Sequence, residues 1–437
     1  MNEIFFEGVR CFHDRQSCAV KPITLLVGEN SSGKTTFLAL NRIAWDIAEG
    51  NLIGDFFNEE PFLLGSYDQI ASYSGGKAGR AKSFLIGIRF QLEPRPNASE
   101  LFADRAAISA RYSPLGLSEW RFECGKFLIS GKQETTNPRL DISVRTPRGV
   151  WADKEMRFGF PFGIGSLLPI MSFFLTEKVA SSVKSSEEPR LILSNAESEE
   201  LRNISHQVSR ALGPRPFAFA PIRTRPARTY DPVKDVPKPE GSHVPMVLAK
   251  TFLDKSESSG KLRTALVSFG RSSGLFNKVE VKRKGRKESD PFQIGIKTIG
   301  PAVNLVDVGY GVSQVLPIIV DVFQYPEASS FLLQQPEVHL HPKAQAELAS
   351  FLASLAKTQG KRFVIETHSD YLIDRIRMDI RDKKGVSRED VAILYFERSR
   401  AGLKIHSLDI DEYGNITNAP PTYRQFFLEE ERRMLGI

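Results

Sequence analysis

Ile23-Thr24-Leu25-Leu26-Val27-Gly28-Glu29-Asn30-Ser31-Ser32-Gly33-Lys34-Thr35 is the stretch whose reading decides the fold. The apolar run Ile23 to Val27 reads as a buried strand, and Gly28 to Thr35 fits the phosphate-loop pattern G-x-x-x-x-G-K-[ST]. Downstream, Phe37, Leu40, Ala44 and Ile47 recur at helical spacing, which predicts strand, loop and amphipathic helix in the order the motif requires. Gly28 and Gly33 let the backbone curl so that successive N–H groups point inward, and the opening helix adds its positive end. Lys34 is expected at the β- and γ-phosphates of ATP and Thr35 on Mg²⁺, with Glu29, Asn30, Ser31, Ser32 and Thr36 completing the nucleotide contacts. A plain glycine turn carrying an incidental lysine would not need both flanks.

Bulk properties narrow the class. With 437 residues, 41% hydrophobic and 25% charged, the chain has ordinary globular composition and length for one large domain with insertions or for two or three smaller ones. It contains no uncharged apolar run of about 18 residues, and Met1 to Glu7 reads as a first strand and not as a leader. A soluble, cytoplasmic protein with no membrane partner is the expectation. Cys11, Cys18 and Cys124 form no C-x-x-C pair, which suits a reducing compartment. A net charge of +7 is compatible with nucleic acid but does not demand it. The densest basic run, Lys282 to Lys287, lies between two alternating segments and reads as a solvated hairpin tip; Arg223, Arg225 and Arg228 form a second group.

Along the chain, residues 1–150 are expected to hold the phosphate loop and an antiparallel β lobe, built from short alternating runs between Phe84 and Thr146. Residues 151–215 read as a helical insertion, with a Ser- and Glu-rich loop at 181–188 and a helix from Glu197 to Leu212. Residues 216–437 alternate strand and helix: a helix over Gly311 to Phe323, a buried strand at Phe331 to Leu333, a helix carrying Ala344, Leu348, Phe351, Leu352 and Leu355, a strand at Arg362 to Glu366, a helix at Tyr371 to Ile380 and a strand at Ala392 to Phe396. Such alternation predicts an α/β protein with a mainly parallel core sheet.

An ATPase needs groups near the γ-phosphate from the end of a neighbouring strand. "FLLQQPEVHLHP", residues 331–342, is the candidate, and here the chain resembles ABC-type ATPase heads of the SMC, RecF and OLD-like group, in which acids precede the proline of the Walker B and D-loop region. "VDVGYGVSQVLPI", 306–318, resembles that group's signature motif, and "FVIETHSDYLIDRI", 363–376, its histidine switch. The resemblance implies a P-loop NTPase fold of ABC-head type and a homodimer or higher oligomer with two ATPs sandwiched between protomers. Gly311, Ser313 and Gln314 would contact the opposite subunit's γ-phosphate, His368 would approach the γ-phosphate or attacking water, and Gln69 would sense Mg²⁺ and ATP. Taken singly, each of these segments reads as an ordinary helix entry, core histidine or turn; their order behind the phosphate loop is what joins them. A zinc site from Glu337, His339 and His341 lacks a fourth partner and the usual ligand spacing.

The chain departs from the group at two positions. Gln334 stands where a carboxylate would bind Mg²⁺ through water, and Gln335 stands at the catalytic carboxylate. A neutral amide can orient water but cannot accept its proton. Glu337, or Glu366 on the adjacent strand, is the substitute acid, and slow turnover is expected. The group's small stand-alone heads imply an anti-phage ATPase that controls a separately encoded effector such as a nuclease. A RecF- or SMC-like DNA-binding ATPase of repair or recombination is the alternative, and a transporter's energising subunit a third option. A nuclease domain in the same chain is not expected, since about forty residues follow the Ala392 to Phe396 strand.

Overall fold

The first three strands, β1 (Asn2–Glu7), β2 (Gln16–Val20) and β3 (Ile23–Gly28), part company at once. In this computed structural model, which describes residues 2–52, 55–76, 79–94, 99–133, 140–153, 168, 193–232, 236–253, 257–399, 402–423 and 425–435, the chain forms two interleaved units. The first is Met1–Val20, Glu29–Arg215 and Phe396–Ile405; the second is Lys21–Gly28, Pro216–Tyr395 and His406–Ile437. The 181–188 loop and most of the expected insertion at 151–215 lie outside the described residues.

In the first unit, β4 (Phe84–Gln91), β5 (Arg105–Ser113), β6 (Gly116–Cys124), β7 (Phe127–Gln133), β8 (Leu140–Thr146) and β9 (Gly149–Asp153) extend β2 and β1 into an eight-stranded sheet of order β2-β1-β4-β5-β6-β7-β8-β9, antiparallel throughout. Strand β5 alternates buried and half-exposed residues along its length, as a sheet with one covered face requires. A boundary at 150 would cut β9 from its partner β8, so the lobe runs on to residue 153. Phe6, Phe12, Phe37 and Phe396 meet edge to face beneath α1 (Lys34–Ala48). The helix α3 (Asn195–Leu212) opens with a Ser194/Glu197 capping box, and Glu197 also takes a bidentate pair from Arg148 at 2.6 and 2.8 Å, which ties the helix to the lobe.

The second unit is built on strands in parallel order β10 (Phe217–Phe219), β14 (Ser330–Gln334), β15 (Arg362–Glu366) and β3; β16 (Val391–Ser399) and β17 (Gly402–Leu408), next in the strand order, are each divided between the two units. β3 is buried from Ile23 to Val27, the continuous apolar run expected of a strand covered on both faces. Helices α4 (Val244–Leu253), α5 (Glu257–Ser273), α6 (Tyr310–Gln324), α7 (Pro342–Gln359) and α8 (Asp370–Arg381) supply Leu248, Leu266, Ile319, Leu348 and Ile376 to the core around the sheet. The hairpin of β11 (Lys278–Arg283) and β12 (Phe292–Lys297), with the short β13 (Val303–Asn304) antiparallel to β12, carries the basic run at its exposed tip, as its alternating flanks predict. Among the described residues, no helix is long and apolar enough to cross a membrane.

Candidate functional site

The phosphate loop has the backbone its glycines imply. Gly28 adopts φ 141°, Ser31 φ 59° and Gly33 φ 88°, three positive angles within six residues that fold the chain back before α1. Close packing also fixes Gly33, since a Cβ there would sit 2.7 Å from the Phe12 ring and 2.9 Å from Cys11 Sγ. Lys34 is 3% exposed, and its Nζ donates to the Glu29 carbonyl at 2.5 Å, so the cation lies along the loop and not out in solvent. Thr35, the expected Mg²⁺ ligand, is exposed at the head of α1, whereas Thr36 is buried. Gln69 is also exposed, but its Oε1 accepts from the Ser66 amide at 2.9 Å and caps the short helix α2 (Tyr67–Ile70). A role on the metal would require that cap to open.

Helix starts sort the second unit's candidates. α7 is capped by His341 and α8 by Ser369, just as α3 is capped by Ser194 in the first unit. By contrast, α1 and α6 begin at Gly33 and Gly309 with no side-chain cap. These are the helices of the phosphate loop and of the signature-like segment.

At the start of α6 the exposed residues are Gly309 and Tyr310, the latter 42% accessible. Ser313 is 6% exposed, with its hydroxyl donating to the Tyr310 carbonyl at 2.8 Å; Gln314 is 2% exposed, and its Oε1 accepts from the Arg223 amide at 3.3 Å. The Gln314 side chain thus faces inward, its oxygen taken by a buried backbone N–H. Gly311 is buried as well, and a Cβ there would lie 2.6 Å from the His339 carbonyl oxygen, so the turn of α6 packs directly on the segment after β14. Pro317 leaves the Ser313 carbonyl without its helical donor, and a His243–Asp321 hydrogen bond of 2.9 Å anchors the body of the helix.

Register brings the ends of three parallel strands together: Gln334 pairs with Glu366, and Glu366 with Leu26, two residues before Gly28. In open α/β sheets, ligands bind beyond these carboxyl ends. Gln335 leaves β14 at φ 42° and donates its N–H to the Glu366 carbonyl at 2.8 Å; His339 follows at φ 67°. Two left-handed non-glycine residues in five store backbone strain of about 1–2 kcal/mol each, of the kind that collects where geometry serves a function. Glu337 is buried, with Oε1 accepting the His368 N–H at 2.8 Å. Burial pushes its carboxyl above the usual range, while the His368 amide pulls the other way. His368 itself is exposed at the strand end. Among the described residues, no three or more His, Cys, Asp or Glu side chains are grouped so as to hold a metal ion.

One residue carries more than the sequence reading gave it. Of the basic group at 223–228, Arg225 and Arg228 are exposed and Arg228 pairs with Asp307 at 2.6 Å, but Arg223 is 1% exposed. Its Nη2 reaches the Gln334 carbonyl oxygen at 3.5 Å. The i, i+2, i+5 spacing of these arginines gives no periodic signal that would have set Arg223 apart.

Residues 181–374 match the sequence family described as "AAA domain, putative AbiEii toxin, Type IV TA system". The matched span contains Arg223, the 309–314 turn, Gln334 to His341 and His368, and it begins after the phosphate loop. No curated protein matches the chain. Similar solved structures include an Smc head bound to the C-winged helix domain of ScpA, at 12% identity and TM-score 0.45, covering 93% of this chain and 97% of that one. Another is the SMC head domain from Thermotoga maritima, at 11% identity and TM-score 0.42, covering 93% and 98%. An Smc head with an extended coiled coil, bound to the C-terminal domain of ScpA and derived from Pyrococcus furiosus, aligns at 10% identity and TM-score 0.43 over 99% and 100%. The loop backbone and the parallel sheet thus stand beside an AAA-domain match that covers residues 181–374.

Proposed function

We propose that this chain, with its AAA-domain match over residues 181–374, binds ATP at Gly28–Thr35, closes as a homodimer around it, and in the closed state regulates a separately encoded effector, a nuclease of an anti-phage system being the partner we favour. The observation that carries the reading is the loop itself: backbone turned by three positive φ angles, with the Lys34 ammonium held along it at the start of a helix no side chain caps. Main-chain amides and one lysine are what a polyphosphate requires. The oxygen donors suit Mg²⁺ held chiefly by the nucleotide, with Thr35 as the protein ligand and the Gln69 amide as a neutral second contributor. Bound there, the ion would screen phosphate charge.

Dimer closure rests on the bare start of α6, where Gly309 and Tyr310 offer amides at the surface and Ser313 lies just behind. Hydrolysis is slow in this reading. Gln334 and Gln335 cannot take a proton, and Glu337, the nearest carboxyl in sequence, is buried and bound to the His368 amide, while His368 orders the attacking water. The matched family's description, a toxin of a type IV TA system, agrees with a chain that works beside a partner.

The test is ATP binding and ATP-dependent assembly, measured by calorimetry and light scattering for wild type and Lys34→Ala. Binding and dimerisation that are both lost in the variant support the reading; a variant indistinguishable from wild type refutes it. A second reading, a RecF- or SMC-like grip on DNA during repair or recombination, draws on the exposed basic hairpin tip at Lys282 to Lys287. It requires ATP-dependent DNA binding that weakens steeply with salt.

A further inference from the structure

Arg223 heads the fully buried side chains of the described residues by volume, and no carboxylate among them lies within ion-pair distance of it. An unpaired buried guanidinium is among the most costly side chains to place in a core, whereas a methionine would fill similar space without that penalty. Burial draws its pKa down to about 10, opposed by the charge of Glu337, so it stays a cation at neutral pH.

Its contacts run to two places far apart in sequence. The main-chain N–H donates to Gln314 Oε1 in the first turns of α6, and Nη2 reaches the carbonyl of Gln334 at the end of β14, from which the chain leads to Gln335 and Glu337. Neither end is saturated: Arg223 Nε and Nη1 and the amide nitrogens of Gln314 and Gln334 are all buried with no hydrogen-bond partner among the described residues. Each such group costs stability, and members of one buried polar network are energetically coupled, so a change at one is felt at the others.

We propose that Arg223 is a positioning residue that couples the two nucleotide contacts of each protomer: the 309–313 turn, offered to the partner's ATP, and the Gln334–His368 edge, offered to its own. The inference rests on the dimer reading above. Filling one edge shifts Gln334 or Gln314, the shift passes through the arginine, and the second ATP of the dimer binds more tightly than the first. Because coupling of this sort is an interaction between sites, it acts on the steepness of the ATP response while the affinity of an isolated loop stays as it was.

The test uses the full chain with Arg223→Met, which keeps the volume and the main-chain bond to Gln314 but removes the guanidinium at Gln334, Arg223→Lys, which keeps the charge but not the guanidinium's reach to Gln334, and Gln314→Met, which leaves the arginine in place and removes the acceptor of its main-chain N–H. Folding is checked by thermal melting. ATP-dependent dimerisation is followed by sedimentation, and first-site affinity by a fluorescent ATP analogue at protein concentrations too low for dimers. Wild type should dimerise with a Hill coefficient approaching about 2, and the folded variants with one near about 1, at a first-site affinity within about 3-fold of wild type. Folded variants that keep the wild-type steepness overturn the coupling alone. Wild-type protein that does not dimerise with ATP overturns the parent reading, and the coupling falls with it.

Discussion

Gly311→Ala sets two known effects against each other at the start of α6. Gly311 has a helical conformation, so alanine should gain at most about 1 kcal/mol of helix propensity. The new Cβ, however, would lie 2.6 Å from the His339 carbonyl oxygen and 3.4 Å from Leu340 Cδ2. The nearer neighbour is backbone, which cannot rotate away as a side chain would. Overpacking of that kind costs about 1–3 kcal/mol. The net expectation is a loss of about 1–2 kcal/mol, read as a fall in melting temperature of roughly 2–6 °C for a unit of this size. To relieve the clash, α6 must move off the 339–340 segment, which displaces Tyr310 and Ser313. ATP-dependent dimerisation, followed by light scattering, should therefore weaken while Lys34-dependent nucleotide binding persists. Gly309→Ala is the internal control. A Cβ at Gly309 meets nothing within 4 Å and its φ is −54°, so the change should cost no more than about 1 kcal/mol as an N-cap effect. Were Gly311→Ala as stable as wild type, the close approach of the 309–313 turn and the 339–340 segment would be wrong, and the geometry drawn from it with it.

Gln335→Glu returns a proton acceptor to the end of β14; steady-state phosphate release should rise at least about 10-fold, and an unchanged rate would show that the amide is not what limits hydrolysis. Gly33→Ala combines φ 88° with contacts of 2.7 Å to Phe12 and 2.9 Å to Cys11, so a loss of about 2–4 kcal/mol and of ATP binding is expected in melting and titration experiments. Glu197 gives a pH signature: burial alone would raise its pKa, but hydrogen bonds from Arg148, Ser194 and Ser99 outweigh it and hold it at about 2, against 4.5 for the free group. A depressed carboxylate contributes stability above the unfolded value that is lost as pH falls toward the folded one. Urea midpoints should therefore drop between about pH 4.5 and 2, by about 1–2 kcal/mol once screening at the exposed Arg148 is allowed for, and Glu197→Gln should flatten that slope.

The sequence alone determined what local chemistry specifies. The strand, the glycine-turned loop and the helix of residues 23–48 each follow from periodicity and backbone freedom, and so do the basic hairpin and the strands at 330–334 and 362–366. The proline-started, histidine-capped α7 is equally local. Only the tertiary structure decided which partners those elements meet. β3 leaves its sequence neighbours β1 and β2 to pair with β15, because a strand apolar on both faces is stable only inside a sheet covered on both sides. Gln69 turns back to cap its own helix and Gln314 turns inward to a backbone amide, although a glutamine looks the same in sequence whichever way it points. Arg223 and Arg225 are two residues apart and alike on paper. One lies buried between α6 and β14 while the other meets water, because burial of a charge is set by residues about a hundred positions away, beyond the reach of any local pattern.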